Sequence, residues 1–132
     1  MSSQIPADLR YTQSHEWVRS HPDGTLTIGI TDHAQHALGD LVFVETPEAG
    51  RAVAAGEACA VVESVKAASD VYSPVAGTVL EGNPGLGDAP ERINADPYGE
   101  GWLWKLRPSD SAAVLALLDA GAYERFLAET AE

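Results

Sequence analysis

The sequence predicts a mainly β fold: a small β-sandwich or flattened barrel with one short internal helix and helices at its C-terminal end. Three observations predict it. Apolar residues recur at period two in short segments, of which Leu26, Ile28 and Ile30 are the clearest case. Proline and glycine clusters punctuate these segments. After Pro108 the spacing becomes helical, through Leu115, Leu117 and Leu118 and then Tyr123, Phe126 and Leu127. Strands first and helices last is the order of a sheet-based domain with peripheral helices. A length of 132 residues suits one domain, taken as 1–132, with 1–10 a loose lead-in and 109–130 a helical C-terminal extension.

The elements follow in order. His15–Arg19 and Thr25–Ile30, joined by the turn residues Pro22-Asp23-Gly24, form a β-hairpin whose second strand is half-buried. Thr31–Gly39 reads as a short helix, with Asp32 as its cap, Gln35 completing a capping box and Gly39 its stop. Leu41–Glu45 is a strand closed by Pro47 and Gly50. Ala58–Val62 is another, leading into Glu63-Ser64-Val65-Lys66-Ala67-Ala68-Ser69-Asp70. Val71–Val75 and Gly77–Leu80 are strand material interrupted by Pro74, which favours an edge or a kink. Asn83–Gly87 and Asn94–Gly101 are loops, and Trp102 to Arg107 is the last strand. A helix capped by Ser109 or Asp110 and a second over Ala120–Glu129 end the chain.

Composition excludes several functions. Eight basic against twenty acidic residues give a net charge of −12, the wrong sign for a nucleic-acid surface. That charge favours a soluble monomer. No run of 18 apolar residues is present, so no membrane span is expected. The N-terminus lacks a basic segment followed by an apolar one, so a cytoplasmic location is expected. The single cysteine, Cys59, lies in an apolar run and reads as a small core residue rather than a reactive thiol. His33 and His36 sit three apart on the expected helix, but no third metal ligand accompanies them. No phosphate-binding glycine motif occurs.

The chemistry concentrates on one lysine. Of the eight basic residues only Lys66 and Lys105 are lysines. Lys66 falls between two apolar strand segments of similar length, flanked by the small residues Ser64, Ala67, Ala68 and Ser69. A lysine at a hairpin tip among small residues is open to an enzyme that must seat its ammonium group against an activated acyl donor. Spacing alone favours a plain surface lysine.

The string Val62-Glu63-Ser64-Val65-Lys66-Ala67-Ala68-Ser69-Asp70 resembles the lipoylation site of the glycine cleavage system H proteins. Arg10-Tyr11, Ser14-His15-Glu16-Trp17-Val18, Ile28–Gln35, Leu38-Gly39-Asp40 and Val42–Glu45 resemble further blocks of that family. So do Ser73–Gly77, Asn83-Pro84, Asn94–Tyr98, Gly101-Trp102 and Leu118–Tyr123. The resemblance runs in order over nearly the whole chain, and it implies a fold of the biotinyl/lipoyl-carrier type. It also implies lipoate in amide linkage to Lys66, attached by a lipoyl or octanoyl transferase or a lipoate ligase, with Glu63 as a recognition determinant for that enzyme. The implied role is a shuttle rather than an enzyme. Its arm takes an aminomethyl group from a pyridoxal-phosphate glycine decarboxylase and gives up the methylene to an aminomethyltransferase. Dihydrolipoamide dehydrogenase then reoxidises the dithiol. Tethering supplies effective concentration.

The resemblance further implies a cleft for the loaded arm, lined by Glu16, Asp70 and Ser14. The family's cleft histidine matches Ala37 here, and His36, one place earlier, points about 100° away on a helix. Three other readings remain. A biotin carrier flanks its lysine with methionines, and the only one here is Met1. A 2-oxoacid-dehydrogenase carrier domain places an aspartate before the lysine, where Val65 stands. A non-carrier interaction protein of the same fold would keep Lys66 unmodified.

Overall fold

The computed structural model describes residues 5–130. Within these residues nine strands make two antiparallel sheets. In chain order the strands are β1 (Arg10–Tyr11), β2 (Glu16–Ser20), β3 (Leu26–Ile30), β4 (Leu41–Glu45), β5 (Ala52–Val53), β6 (Ala58–Ser64), β7 (Ala68–Tyr72), β8 (Gly77–Gly82) and β9 (Trp104–Pro108). One sheet has six strands in the order β1-β2-β3-β9-β8-β5, the other three in the order β4-β6-β7. The inward residues of both sheets, among them Ile28, Val44, Val62, Val71, Val79, Trp104 and Leu106, form the main core.

The hairpin β2–β3 pairs Val18 with Ile28 and Trp17 with Gly29. All five residues of β3 are buried, not alternate ones. The reason lies on the sheet's other face, where Leu9, Tyr11, Trp17 and Tyr123 form a second apolar cluster. A Cβ on Gly29 would lie 2.7 Å from the Trp17 ring, so glycine is what lets the indole lie flat there. The Trp17 indole N–H donates to the Pro97 carbonyl at 2.9 Å.

That second cluster draws in the chain ends. Leu9 is buried and Ile5 packs against the cluster, so the end of the expected loose lead-in is anchored; residues 1–4 lie outside the described residues. Helix α3 (Ala120–Thr130) covers the cluster, with Tyr123 stacked on Tyr11 at a ring separation of 4.7 Å. The Tyr123 hydroxyl also meets His15 Nδ1 and Thr31 Oγ1, each at 2.8 Å. Burial, and then the neighbouring His33, holds the His15 imidazole below its ordinary pKa. The expected helix after Pro108 is a 3-10 turn, Ser111–Ala116, capped by Asp110. Its chain leaves through Leu118, which bridges to Tyr11.

Helix α1 (Asp32–Leu38) is capped by Thr31 and not by Asp32: the Thr31 side chain accepts from the Ala34 N–H at 3.2 Å. Thr31 has the extended backbone a cap requires, whereas Asp32 is already helical. Gln35 turns sideways instead of closing a capping box, donating to Asp32 Oδ1 at 2.7 Å. A short helix α2 (Arg92–Ala95) runs into the start of the expected loop, at Asn94 and Ala95. Strand β7 begins at Ala68 and ends at Tyr72, before Pro74. Cys59 is buried in the core, which pushes its thiol up to about 12, as a packing residue requires. Trp104 lies in the core, while Trp102 packs on the second cluster beneath the Lys105 ammonium, 5.1 Å from its ring.

Gly77 shows how closely β8 and β9 approach. A Cβ there would lie 2.3 Å from the Arg107 carbonyl oxygen, and backbone cannot swing aside. Gly77→Ala is expected to lose about 2 kcal/mol or more in urea unfolding. Gly87→Ala, in helical backbone with open space around it, is expected to change stability by less than about 1 kcal/mol. Equal losses in the two variants would contradict this account of the β8–β9 contact.

Candidate functional site: a lysine at a hairpin tip

Strands β6 and β7 pair Val61 with Asp70, Val62 with Ser69 and Glu63 with Ala68. Val62 and Val71 are buried in the core, which anchors both strands and sets the register. The tip is therefore Ser64-Val65-Lys66-Ala67. The Ser64 N–H donates to the Ala67 carbonyl at 2.7 Å. Its hydroxyl oxygen accepts from the N–H groups of Lys66 at 3.3 Å and Ala67 at 3.1 Å. A serine that closes its own turn in this way replaces the strand pairing lost at the tip. Lys66 is exposed, as are Ala67, Ala68 and Ser69 beside it.

The lysine stem has a bed. Lys66 Cε lies 3.4 Å from where a Cβ on Gly39 would be. Gly39 ends α1 with a φ of 87°, and Asn94 holds the corner that follows. Asn94 Oδ1 accepts from the Leu41 N–H, and its Nδ2 donates to the Gly39 and Gln35 oxygens, all at 2.9 Å. Sequence reading left Asn94 in a loop with no role. No local signal reveals it, because its partners lie 53 to 59 residues away.

Charge isolates Lys66. It is the only Lys or Arg from residue 52 to residue 91, and none occurs from 20 to 50. Among the described residues the ion pair formed is Arg51–Glu57 at 2.9 Å, at the opposite end of β6. Lys105, the other lysine, sits within β9 over Trp102 and has no such freedom.

The remaining expected site residues do not share one cleft. Glu63 is half-buried on β6, between Phe43 and Ala68 on the neighbouring strands. Ser14 is exposed and, with Glu16 and Tyr72, lines a cavity of about 390 Å³ walled by residues 116–118. Asp70 is exposed on β7 and lines a different cavity of about 460 Å³, together with Glu45, Val61 and Arg51. Glu16 departs most from expectation. It is 2% exposed, and both its carboxylate oxygens are taken. The Thr12 hydroxyl donates to one, and the Tyr72 N–H donates to the other at 3.2 Å. Glu16 thus ties the loop before β2 to the end of β7 rather than standing open to a ligand. His33 packs against His15 at a ring separation of 4.7 Å with the rings tilted by 35°, and His36 is exposed. Among the described residues no group of three His, Cys, Asp or Glu side chains is placed to hold a metal.

A two-sheet sandwich with an exposed lysine on a hairpin tip has the fold of carrier domains of the biotinyl/lipoyl type. The comparisons with known proteins agree. The family model for the glycine cleavage H-protein matches residues 9–130. The glycine cleavage system H protein of Halorhodospira halophila is 60% identical over 127 residues, covering 96% of this chain and 98% of that one. That of Azoarcus sp. is 61% identical over 127 residues, covering 96% and 99%. The crystal structure of a glycine cleavage system H protein from Mycobacterium marinum aligns with a TM-score of 0.83 at 43% identity, covering 97% of this chain and 100% of that one. The chain belongs to the glycine cleavage H-protein family, the lipoyl-carrying shuttles of the glycine cleavage system.

Burial raises the Glu16 carboxyl above its ordinary pKa of 4.5, against the smaller lowering effect of its two hydrogen bonds. The folded state therefore holds that proton more tightly than the unfolded chain does. The stabilisation is fully present below the unfolded value and is lost as pH rises through the raised one. In urea unfolding across a pH series, the stability of the parent minus that of Glu16→Gln is expected to fall as pH rises above 4.5. It levels once Glu16 is ionised. A difference that stays constant with pH would contradict the buried-carboxyl account.

Proposed function

We propose that Lys66 is the lysine that carries lipoate, and that the chain acts as a cytoplasmic monomer that catalyses no step itself. The proposed partners are the pyridoxal-phosphate glycine decarboxylase, the aminomethyltransferase and dihydrolipoamide dehydrogenase. A lipoyl or octanoyl transferase or a lipoate ligase would modify it first. The observation that carries this reading is the exposed Lys66 on a serine-closed tip, the only lysine or arginine across the hairpin.

The residues around Lys66 fit the group. The tip is open, its neighbours are small, and the stem crosses a glycine rather than a side chain. When bound, lipoate supplies a reducible disulfide that accepts electrons together with a one-carbon amine. The protein's own part is positional. Ser64 holds the turn so that the Lys66 amine projects from a rigid base, which keeps a tethered group at high effective concentration for its partners. Glu63, on the strand that enters the tip, serves as the acidic recognition point for the modifying enzyme.

Ser14 and Asp70 are the polar groups left exposed to a cationic amine, which charge-assisted hydrogen bonds to Asp70 would favour. Glu16 contributes by fixing the wall at Tyr72. Its two filled oxygens support this positioning role over direct contact.

Replacing Lys66 tests the reading. In a reconstituted glycine cleavage assay with the partner enzymes and a lipoylating enzyme, Lys66→Arg is expected to give no turnover while melting as the parent does. Lys105→Arg is expected to retain turnover within about twofold, since arginine keeps a cation over the Trp102 ring. Turnover in Lys66→Arg would overturn the assignment.

A further inference from the structure

Strand β4 breaks the alternation that a half-buried strand should show. Leu41 and Val44 face the core, but Val42 and Phe43 between them are both exposed, at 55% and 47%. The cause is a β-bulge. Leu41 pairs with Ser64 and Phe43 with Glu63, so Val42 has no partner residue on β6. An extra residue of this kind bends its strand and re-aims its side chains.

Bulges on an edge strand also discourage pairing with another chain, and β4 is a free edge of its sheet. That purpose alone would be served by a charge or a proline. Here the bulge presents a valine and a phenylalanine, forgoing the burial of both. The tip adds a third apolar group: Val65, next to Lys66, is 82% exposed. Register places the three together, since Leu41 lies beside Ser64 at the base of the tip and Phe43 one pair further on. Asp40 and Glu45 are exposed at the two ends of β4, and Glu63 lies across from Phe43. An apolar ridge with an acidic rim runs up to the Lys66 amine.

We propose that Val42, Phe43 and Val65 form the docking ridge gripped by the enzyme that acylates Lys66, through an apolar socket ringed by basic side chains. This rests on the reading that Lys66 is acylated. The length of the lysine selects the occupant. Its Nζ stands only about 6 Å from its own Cα. An enzyme that must bring that nitrogen into its active site therefore has to contact the residues immediately around the tip. Enzymes served later by a long arm can dock further away. An aromatic anchor in a desolvated socket, with a charged rim setting the approach, is how such contacts gain both strength and orientation.

The test uses the unmodified full chain as acyl acceptor for a purified lipoate ligase with lipoate and ATP, read by intact mass. Phe43→Ser and Val42→Ser are expected to raise KM for the acceptor about tenfold, with kcat within about twofold. Leu115→Ser, an exposed apolar site elsewhere, is expected to match the parent. Melting curves check that each variant is folded. The same variants, driven to full lipoylation with excess ligase, are then loaded by the glycine decarboxylase, at rates expected within about twofold of the parent. Unchanged KM in both ridge variants, or a defect confined to kcat, overturns the proposal. So does a defect that appears only in the decarboxylase step, which would assign the ridge to that enzyme. If the parent chain itself gains no acyl group on Lys66, the underlying function falls instead, so the two failures are distinguishable.

Discussion

The pairing of β6 with β7 fixes where Lys66 stands, and everything else around the site is arranged to hold that pairing. Val62 and Val71 point into the core from the two strands. Because side chains alternate faces, a slip of one residue would turn one of the two valines outward and carry Lys66 off the tip. Burying the two side chains is worth about 3–6 kcal/mol together, far more than the few hydrogen bonds of the turn. The core thus specifies the position of a residue that is itself exposed. Ser64 completes the specification locally by bonding the amides of Lys66 and Ala67.

The larger sheet supplies the frame. It is covered on both faces near β2 and β3, by the main core on one side and by α3 with Tyr11 and Trp17 on the other. Two polar connections, from the buried Glu16 and the half-buried Asn94, then join that frame to the hairpin's surroundings. Glu16 reaches from β2 to the Tyr72 amide at the far end of β7. Asn94 gathers Gln35, Gly39 and Leu41 into the corner beneath the lysine stem. A buried polar group left without its partners costs more than the bond is worth when made. Both connections therefore act as locks on geometry, and they keep the tip's base rigid while the tip stays open to solvent.

Much of this was legible in the sequence wherever the signal is local. Period-two apolar residues and turn residues mark β2, β3, β4 and β6, and the small residues around Lys66 mark the tip. The misreadings arise where distant contacts decide. Alternation in β3 suggests one exposed face, but a helix from the other end of the chain covers it. Asp32 is as good a cap as Thr31 by residue type, and only backbone conformation separates them. Glu16 reads as an open carboxylate because nothing local shows Thr12 and Tyr72 closing over it. β5 and the bulge at Val42 have no periodic signature, since pairing across the sheet creates them, and α2, at four residues, is too short to show one.

The central claim is that one nitrogen, Lys66 Nζ, carries lipoate. Peptide mapping by mass spectrometry of the protein purified from its native host tests it most directly. The account predicts the mass increment of one lipoyl group, confined to the peptide that contains Lys66, with the Lys105 peptide unmodified. A biotin increment on Lys66, or lipoate on Lys105, would contradict it.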